Sequence, residues 1–225
     1  MTLKLLEPKT EQVTPTVSVI DDHKLARDSV AALLDSMDCK VACFDSAEAF
    51  LSSYDPNTPG CVVTDVRLRG MSGIELLHEL TKREVITPII IVTGFANTRL
   101  TVKALRNGAV TLLEKPFDDD ELWNAIREAL RMDAENREFE NLKTDVRNRF
   151  DSLTPQERRV TMMILSGLTN REIATSMNVS VRTVESRRHD VFNKMHAKSV
   201  PHLVQLTLMA EGLLLKGVTD FLGGL

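Results

Sequence analysis

Four short stretches, far apart in the chain, each carry a polar group suited to a phosphorylatable aspartate: Asp21-Asp22, Asp65, Thr93 and Lys115. Attack by a carboxylate on phosphorus gives an acyl phosphate, and the main demand on the site is to neutralise spread negative charge. Asp65 is the nucleophile in this reading. Asp21 and Asp22 make with it an oxygen-rich cluster suited to Mg²⁺, a hard cation that keeps several waters. Asp22 is the direct ligand, Asp21 stands behind it, and the backbone carbonyl of Arg67 is a third protein ligand. Lys115 supplies fixed positive charge, and Thr93 a hydroxyl donor.

These groups need elements that bring them together. Each follows an apolar run: TVSVI, CVV, PIIIV and VTLL. Such runs, separated by helical stretches, read as buried parallel strands. The expected elements are β1 (16–20), α1 (24–37), β2 (40–44), α2 (46–52), β3 (61–64), α3 (73–83), β4 (88–92), α4 (97–107), β5 (110–113) and α5 from Asp118. Alternation of this kind predicts an α/β fold, a five-stranded doubly wound parallel sheet of flavodoxin-like order 2-1-3-4-5. Ligands bind such sheets beyond the carboxyl ends of the strands, where all four stretches fall. Lys115-Pro116 is a candidate for a cis peptide.

From Leu153 the pattern is helical throughout. Thr154-Pro155-Gln156-Glu157 is a capping box with proline at the first helical position. Thr169 or Asn170 caps a short helix, Ser180 caps VRTVESRRHDVFNKM, and PHLVQLTLMAEGLLL follows. A short helix, a tight turn and a longer basic helix are the sequence form of a helix-turn-helix. Thr183, Val184, Ile173 and Phe192 fall at or near core positions. Arg182, Thr183, Glu185, Ser186, Arg188 and His189 lie on or beside the face expected in the major groove, with Glu185 suited to cytosine and Arg188 to guanine. Arg171, Arg187, Lys194 and Lys198 suit phosphates.

Between these halves, residues 129–150 are dense in charge. Phe139, Leu142, Val146 and Phe150 recur at helical spacing, so the segment is either an amphipathic helix or a solvated linker covering α5. At 225 residues the chain suits two domains, here a domain over 15–130, a linker over 131–151, a small all-α helix-turn-helix domain over 152–212 and a tail over 213–225. Residues 1–125 carry 13 basic against 19 acidic side chains, a net of −6, while 151–200 carry 8 against 5, a net of +3. That asymmetry suits a charged-ligand site in the first half and a polyanion partner for the second. There is no membrane-length apolar run and no signal-peptide core near the N-terminus. The three cysteines, Cys39, Cys43 and Cys61, have no zinc-ligand spacing and read as small buried hydrophobes in a reducing cytoplasm.

The segments VIDD, VVTDVRLRGMSGIELL, PIIIVTG and GAVTLLEKPFDDDEL resemble successive motifs of the two-component response regulator receiver. LTPQERRVTMMILSGLTNREIATSMNVSVRTVESRRHDVFNKM resembles the LuxR-type DNA-binding domain, and the pairing is that of the NarL/FixJ type. The resemblance implies phosphorylation of Asp65 by a histidine kinase, homodimerisation through the α4-β5-α5 face and controlled binding of double-stranded promoter DNA, with RNA polymerase as a further possible partner. Arg99, Lys103, Arg106, Trp123 and Arg127 are candidates for the dimer face. Two departures stand out. Leu112 occupies the β5 position where the family carries a switching aromatic beside Thr93, leaving Phe95 as a partial substitute. His23 stands where the family often has a third acid. An aspartyl-phosphate hydrolase would need a second acid at position 67; Arg67 argues against that enzyme, leaving slow self-dephosphorylation at most. The alternative is a DNA-binding transcription factor that is phosphorylation-independent or atypically switched.

Overall fold

The computed structural model describes residues 14–212; the 213–225 tail, the last residues of the expected fourth helix and the first 13 residues lie outside them. The chain divides into two compact units, one up to Arg137 and one from Glu138.

The first unit contains β1 (Thr16–Ile20), α1 (Lys24–Asp35), β2 (Lys40–Phe44), α2 (Ala47–Ser53), β3 (Gly60–Asp65), α3 (Gly73–Lys82), β4 (Ile89–Thr93), α4 (Thr98–Arg106), β5 (Thr111–Glu114) and the start of α5 (Asp119–Asp151). The strands form one parallel sheet of order β2-β1-β3-β4-β5. Every residue of β3 and β4 is buried, as expected where helices cover both faces of a parallel sheet. Alternate side chains point to opposite faces. Val62, Ile89 and Ile91 pack with Ile74, Leu77 and Leu80 of α3, whereas Cys61, Val63, Ile90 and Val92 pack with Leu34 of α1 and with Leu122 and Ile126 of α5. Of the cysteines, Cys61 is buried, Cys39 half-buried and Cys43 exposed. The buried reading fails for Cys43 because β2 is an edge strand.

Register sets the strand tips level with one another. Ile20 pairs with Thr64, so Asp21 and Asp65 are the next residues of neighbouring strands. Thr93 pairs with Glu114, placing Lys115 just beyond, and the Lys115 N–H donates to the Thr93 carbonyl at 2.7 Å. The Lys115-Pro116 peptide is cis. Gly73 opens α3 against the back of this tip, where a Cβ would stand 2.2 Å from the Asp65 carbonyl oxygen.

α5 is a single helix of 33 residues, so residues 129–150 are helical. At its start the Asp118 backbone carbonyl accepts from the Glu121 and Leu122 N–H groups. Further along, Asp133 is buried. Its Oδ2 accepts from the Gly60 N–H at 2.8 Å and from Arg137 Nε at 2.8 Å. Arg137 also donates to the carbonyls of Pro56 (2.9 Å) and Thr58 (2.7 Å). α5 is thereby fastened to the loop that feeds β3.

The second unit holds α6 (Pro155–Leu165), α7 (Asn170–Met177), α8 (Val181–Met195) and α9 (Val200–Ala210). Val160, Ile164, Ile173, Val184, Val191, Met195, Leu203 and Leu206 form its core, joined by Val146 and, partly buried, by Phe139, Leu142 and Phe150. The apolar stripe of residues 139–150 is therefore used within this unit. Thr154 and Thr169 begin α6 and α7 as capping boxes with Glu157 and Glu172. The α7–α8 turn passes through Asn178 at φ 53° and ψ 51°, the left-handed region asparagine tolerates.

Candidate phosphoryl site and nucleic-acid interface

At the strand tips, Lys115 ties two carboxylates together. Its Nζ donates to Asp21 Oδ2 at 2.7 Å and to Asp65 Oδ1 at 2.8 Å. Burial works to lower the Lys115 pKa, but the bonds to Asp21 and Asp65 outweigh it and hold the ammonium above its ordinary value. The lysine is therefore charged at neutral pH. Asp65 and Asp21 are both buried. Asp65 Oδ2 accepts from the Arg67 N–H at 2.5 Å, and Asp21 Oδ1 from the His23 N–H at 2.9 Å. The structure thus brings Asp21, Asp65, Arg67 and Lys115 into one bonded network.

Asp22 is placed differently. Its Oδ1 is buried and makes no hydrogen bond. His23 Nδ1 lies 3.0 Å from that oxygen, a close contact without hydrogen-bond geometry. Arg69 Nε stands 3.4 Å from the other oxygen. Asp21, Asp22 and His23 present ligand atoms close enough to share one cation. A buried carboxylate oxygen short of partners is costly, and the unpartnered Asp22 oxygen beside the Asp21 carboxylate matches the oxygen preference of Mg²⁺.

Thr93 is buried, and its hydroxyl accepts from the Phe95 N–H at 3.2 Å. The Phe95 ring is 65% exposed, yet it is held from one side by the Arg67 guanidinium, 4.2 Å from its centroid. Leu112 packs, partly buried, against the α3 and α4 side of the core. The residues that follow the phosphoacceptor and the threonine are thus stacked on each other. Sequence reasoning singled out Arg67 for its carbonyl and missed this pairing, because only the sheet order places the two residues side by side.

On α8, Arg182, Glu185, Ser186 and His189 are exposed, as are Arg171 on α7 and Lys198 beyond α8. Thr183, Arg187, Arg188 and Lys194 are partly buried. The Thr183 hydroxyl shares a 2.8 Å bond with Ser180 at the helix start, and Arg188 leans over Phe192. Lys194 Nζ donates to Glu157 Oε2 at 2.8 Å. Glu157 is buried and also accepts from the Thr154 N–H at 2.7 Å. Burial works to raise its pKa, but these bonds outweigh it and hold the carboxyl below its ordinary value.

Residues 17–127 match the response regulator receiver domain, and residues 151–210 match the bacterial regulatory proteins of the luxR family. The chain belongs to the response regulators that join these two domains, and it is a two-component regulator of transcription. It is 42% identical over 194 residues to the transcriptional regulatory protein FixJ of Azorhizobium caulinodans, covering 86% of this chain and 92% of that one. It is 38% identical to FixJ of Rhizobium meliloti, covering 86% and 95%. Among solved structures, the response regulator StyR superposes with a TM-score of 0.76 at 36% identity, covering 86% of this chain and 98% of that one. Full-length FixJ from B. japonicum gives 0.54 at 40% identity, covering 90% and 100%.

Proposed function

We propose that a partner histidine kinase phosphorylates Asp65 and that this event controls homodimerisation and sequence-specific promoter binding by the helical unit. The observation that carries the reading is Lys115, charged and bonded at once to Asp21 and Asp65. A carboxylate oxygen of Asp65 attacks the phosphorus, the bond from phosphorus to the donor nitrogen breaks, and that nitrogen keeps the electron pair. Lys115 then neutralises part of the phosphoryl charge. Asp22 and Asp65, with the Arg67 carbonyl and with Asp21 behind them, would hold Mg²⁺, which supplies further positive charge to the phosphoryl oxygens. The Thr93 hydroxyl turns to donate to a phosphoryl oxygen and gives up the Phe95 N–H. Phe95 and Leu112 then take up the rearrangement in place of an aromatic in β5.

Exposed Val102 and Leu105 on α4 favour a dimer through α4, β5 and α5, with Arg99, Lys103, Arg106, Trp123 and Arg127 around them. The helical unit reads base edges with Arg182, Glu185, Ser186, Arg188 and His189, and phosphates with Arg171 and Lys198. Recruitment of RNA polymerase from the promoter completes the reading, which sets the protein in the cytoplasm. Apart from slow loss of its own phosphoryl group, the protein is not an enzyme. The half-buried Leu112 favours a second reading, DNA binding independent of phosphate. Intact-mass spectrometry after incubation with acetyl phosphate and Mg²⁺ tests the first reading. Gain of one phosphoryl group by the wild type and none by Asp65→Asn is expected. No gain by the wild type would sink the phosphoacceptor assignment and leave the second reading.

A further inference from the structure

We infer that Lys194 and Glu157 are positioning residues for the recognition helix, and that Lys194 does not contact DNA phosphate. The inference rests on the helical unit binding DNA through α8. Lys194 lies in the last turn of α8, and Glu157 lies in the first turn of α6, where its carboxylate also serves the capping box. Their 2.8 Å bond joins helices whose sequence positions are 37 apart. Glu157 has a side chain only 8% exposed, against 38% for Lys194. A buried carboxylate that lost its cation would be left uncompensated, so the lysine is committed to this partner.

The two ends of α8 are fixed by different means. At its start the left-handed Asn178 sets the turn, and Ser180 accepts from the Thr183 N–H. At its end, Val191 and Met195 anchor the apolar side, but apolar contacts tolerate sliding and rolling that a directional ion pair resists. The side chains offered to bases sit around Glu185, about 13 Å along the helix from Lys194 at 1.5 Å per residue. A tilt of about 10° over that length displaces a base-reading atom by about 2 Å, enough to break hydrogen bonds confined to 2.7–3.2 Å. Phosphate contacts depend on charge more than geometry and survive such a displacement. The pair therefore acts on sequence discrimination.

The test uses the full chain and two DNA probes: a duplex of roughly 30 bp selected from a randomised pool by the wild type, long enough for two half-sites a helical turn apart, and a random duplex of equal length. For Lys194→Met, affinity for the selected duplex falls about tenfold, affinity for random DNA changes less than twofold, and the log–log salt slope is unchanged. A phosphate contact predicts the reverse, equal losses on both probes and a slope smaller by about 0.9 for each bound protomer. Glu157→Gln decides the matter even if Lys194→Met folds poorly, because its amide oxygen still accepts from Thr154 while the charge is gone. A positioning pair predicts a similar loss on the selected duplex, with the double variant no worse than either single one. A phosphate-contacting Lys194 would be freed by Glu157→Gln, and unchanged or tighter binding would overturn the inference. Failure of the wild type to select any duplex, phosphorylated or not, would instead sink the DNA-binding reading.

Discussion

The phosphoryl site and the recognition helix solve opposite problems. At the strand tips, charges from residues 21, 65 and 115 are withdrawn from water and answered by one another. On α8, Arg182, Glu185 and His189 stay exposed, free for a partner outside the chain. The first arrangement is assembled by topology from distant segments, so each side chain's role follows from its neighbours. The second is contiguous, so each side chain's role follows from the face it occupies. Lys194 marks the boundary between them, a cation on the second element that behaves like those of the first.

Lys115→Met should show the contrast at its strongest. It leaves Asp21 and Asp65 facing each other without their cation, and loss of one partner from a buried pair costs about 4 kcal/mol. Phosphoryl uptake from acetyl phosphate should fall at least about 100-fold, in keeping with the loss of a preorganised charge, while affinity for random DNA holds. The only tryptophan, Trp123, and the only tyrosine, Tyr54, both lie in the first unit. Tryptophan fluorescence during urea unfolding therefore reports that unit alone. A phosphorylation rate within threefold of wild type would break the comparison.

Backbone crowding behind the site comes next. Gly73→Ala would push a methyl into the Asp65 carbonyl, 2.2 Å away, and over-packing of this kind costs about 2 kcal/mol. The displaced Asp65 should also be phosphorylated more slowly. Unchanged stability with unchanged uptake would mean that α3 can shift without disturbing the site.

A smaller effect sharpens the other side. Glu157 has its folded pKa depressed from an ordinary value of 4.5. Its contribution is therefore present above the unfolded value and is lost as pH falls through the folded one. Glu157→Gln should lower the stability of the helical unit by about 1 kcal/mol at pH 7 and flatten its decline below about pH 4. Circular dichroism in the far ultraviolet, compared with Trp123 fluorescence on the same samples, would isolate this unit. A steeper acid loss in the variant would contradict the depressed pKa.

How legible each part was in the sequence follows from the same contrast. Asp21, Asp65, Thr93 and Lys115 stand at or just past the ends of apolar runs, and strand order alone carries such residues to one edge of a sheet. The fold and the grouping of the acidic and basic residues could therefore be read before any coordinates. The stacking of Arg67 on Phe95 could not, since it depends on side-chain direction over adjacent loops. Glu157 was legible only as a capping residue, because its pairing with Lys194 is a tertiary contact. Nor did the charge-dense segment after residue 129 reveal which of its cations are structural.

Two arginines of α5 put that last point to the smallest test. Arg131 bonds Glu128 and Glu135 on its own helix, with all three side chains about half exposed. Arg137, under two turns further on, makes fewer ionic contacts, but its partner Asp133 is 3% exposed and its other bonds reach backbone carbonyls 79 and 81 positions away. Exposed helix pairs are screened by water and opposed by side-chain entropy, whereas a buried carboxylate deprived of its cation stays costly. Arg137→Ala should therefore destabilise the first unit by about 3 kcal/mol, and Arg131→Ala should leave its urea midpoint unchanged. Equal effects of the two substitutions on Trp123 unfolding would show that burial is not what separates them, nor what ties Lys115 and Lys194 to their carboxylates.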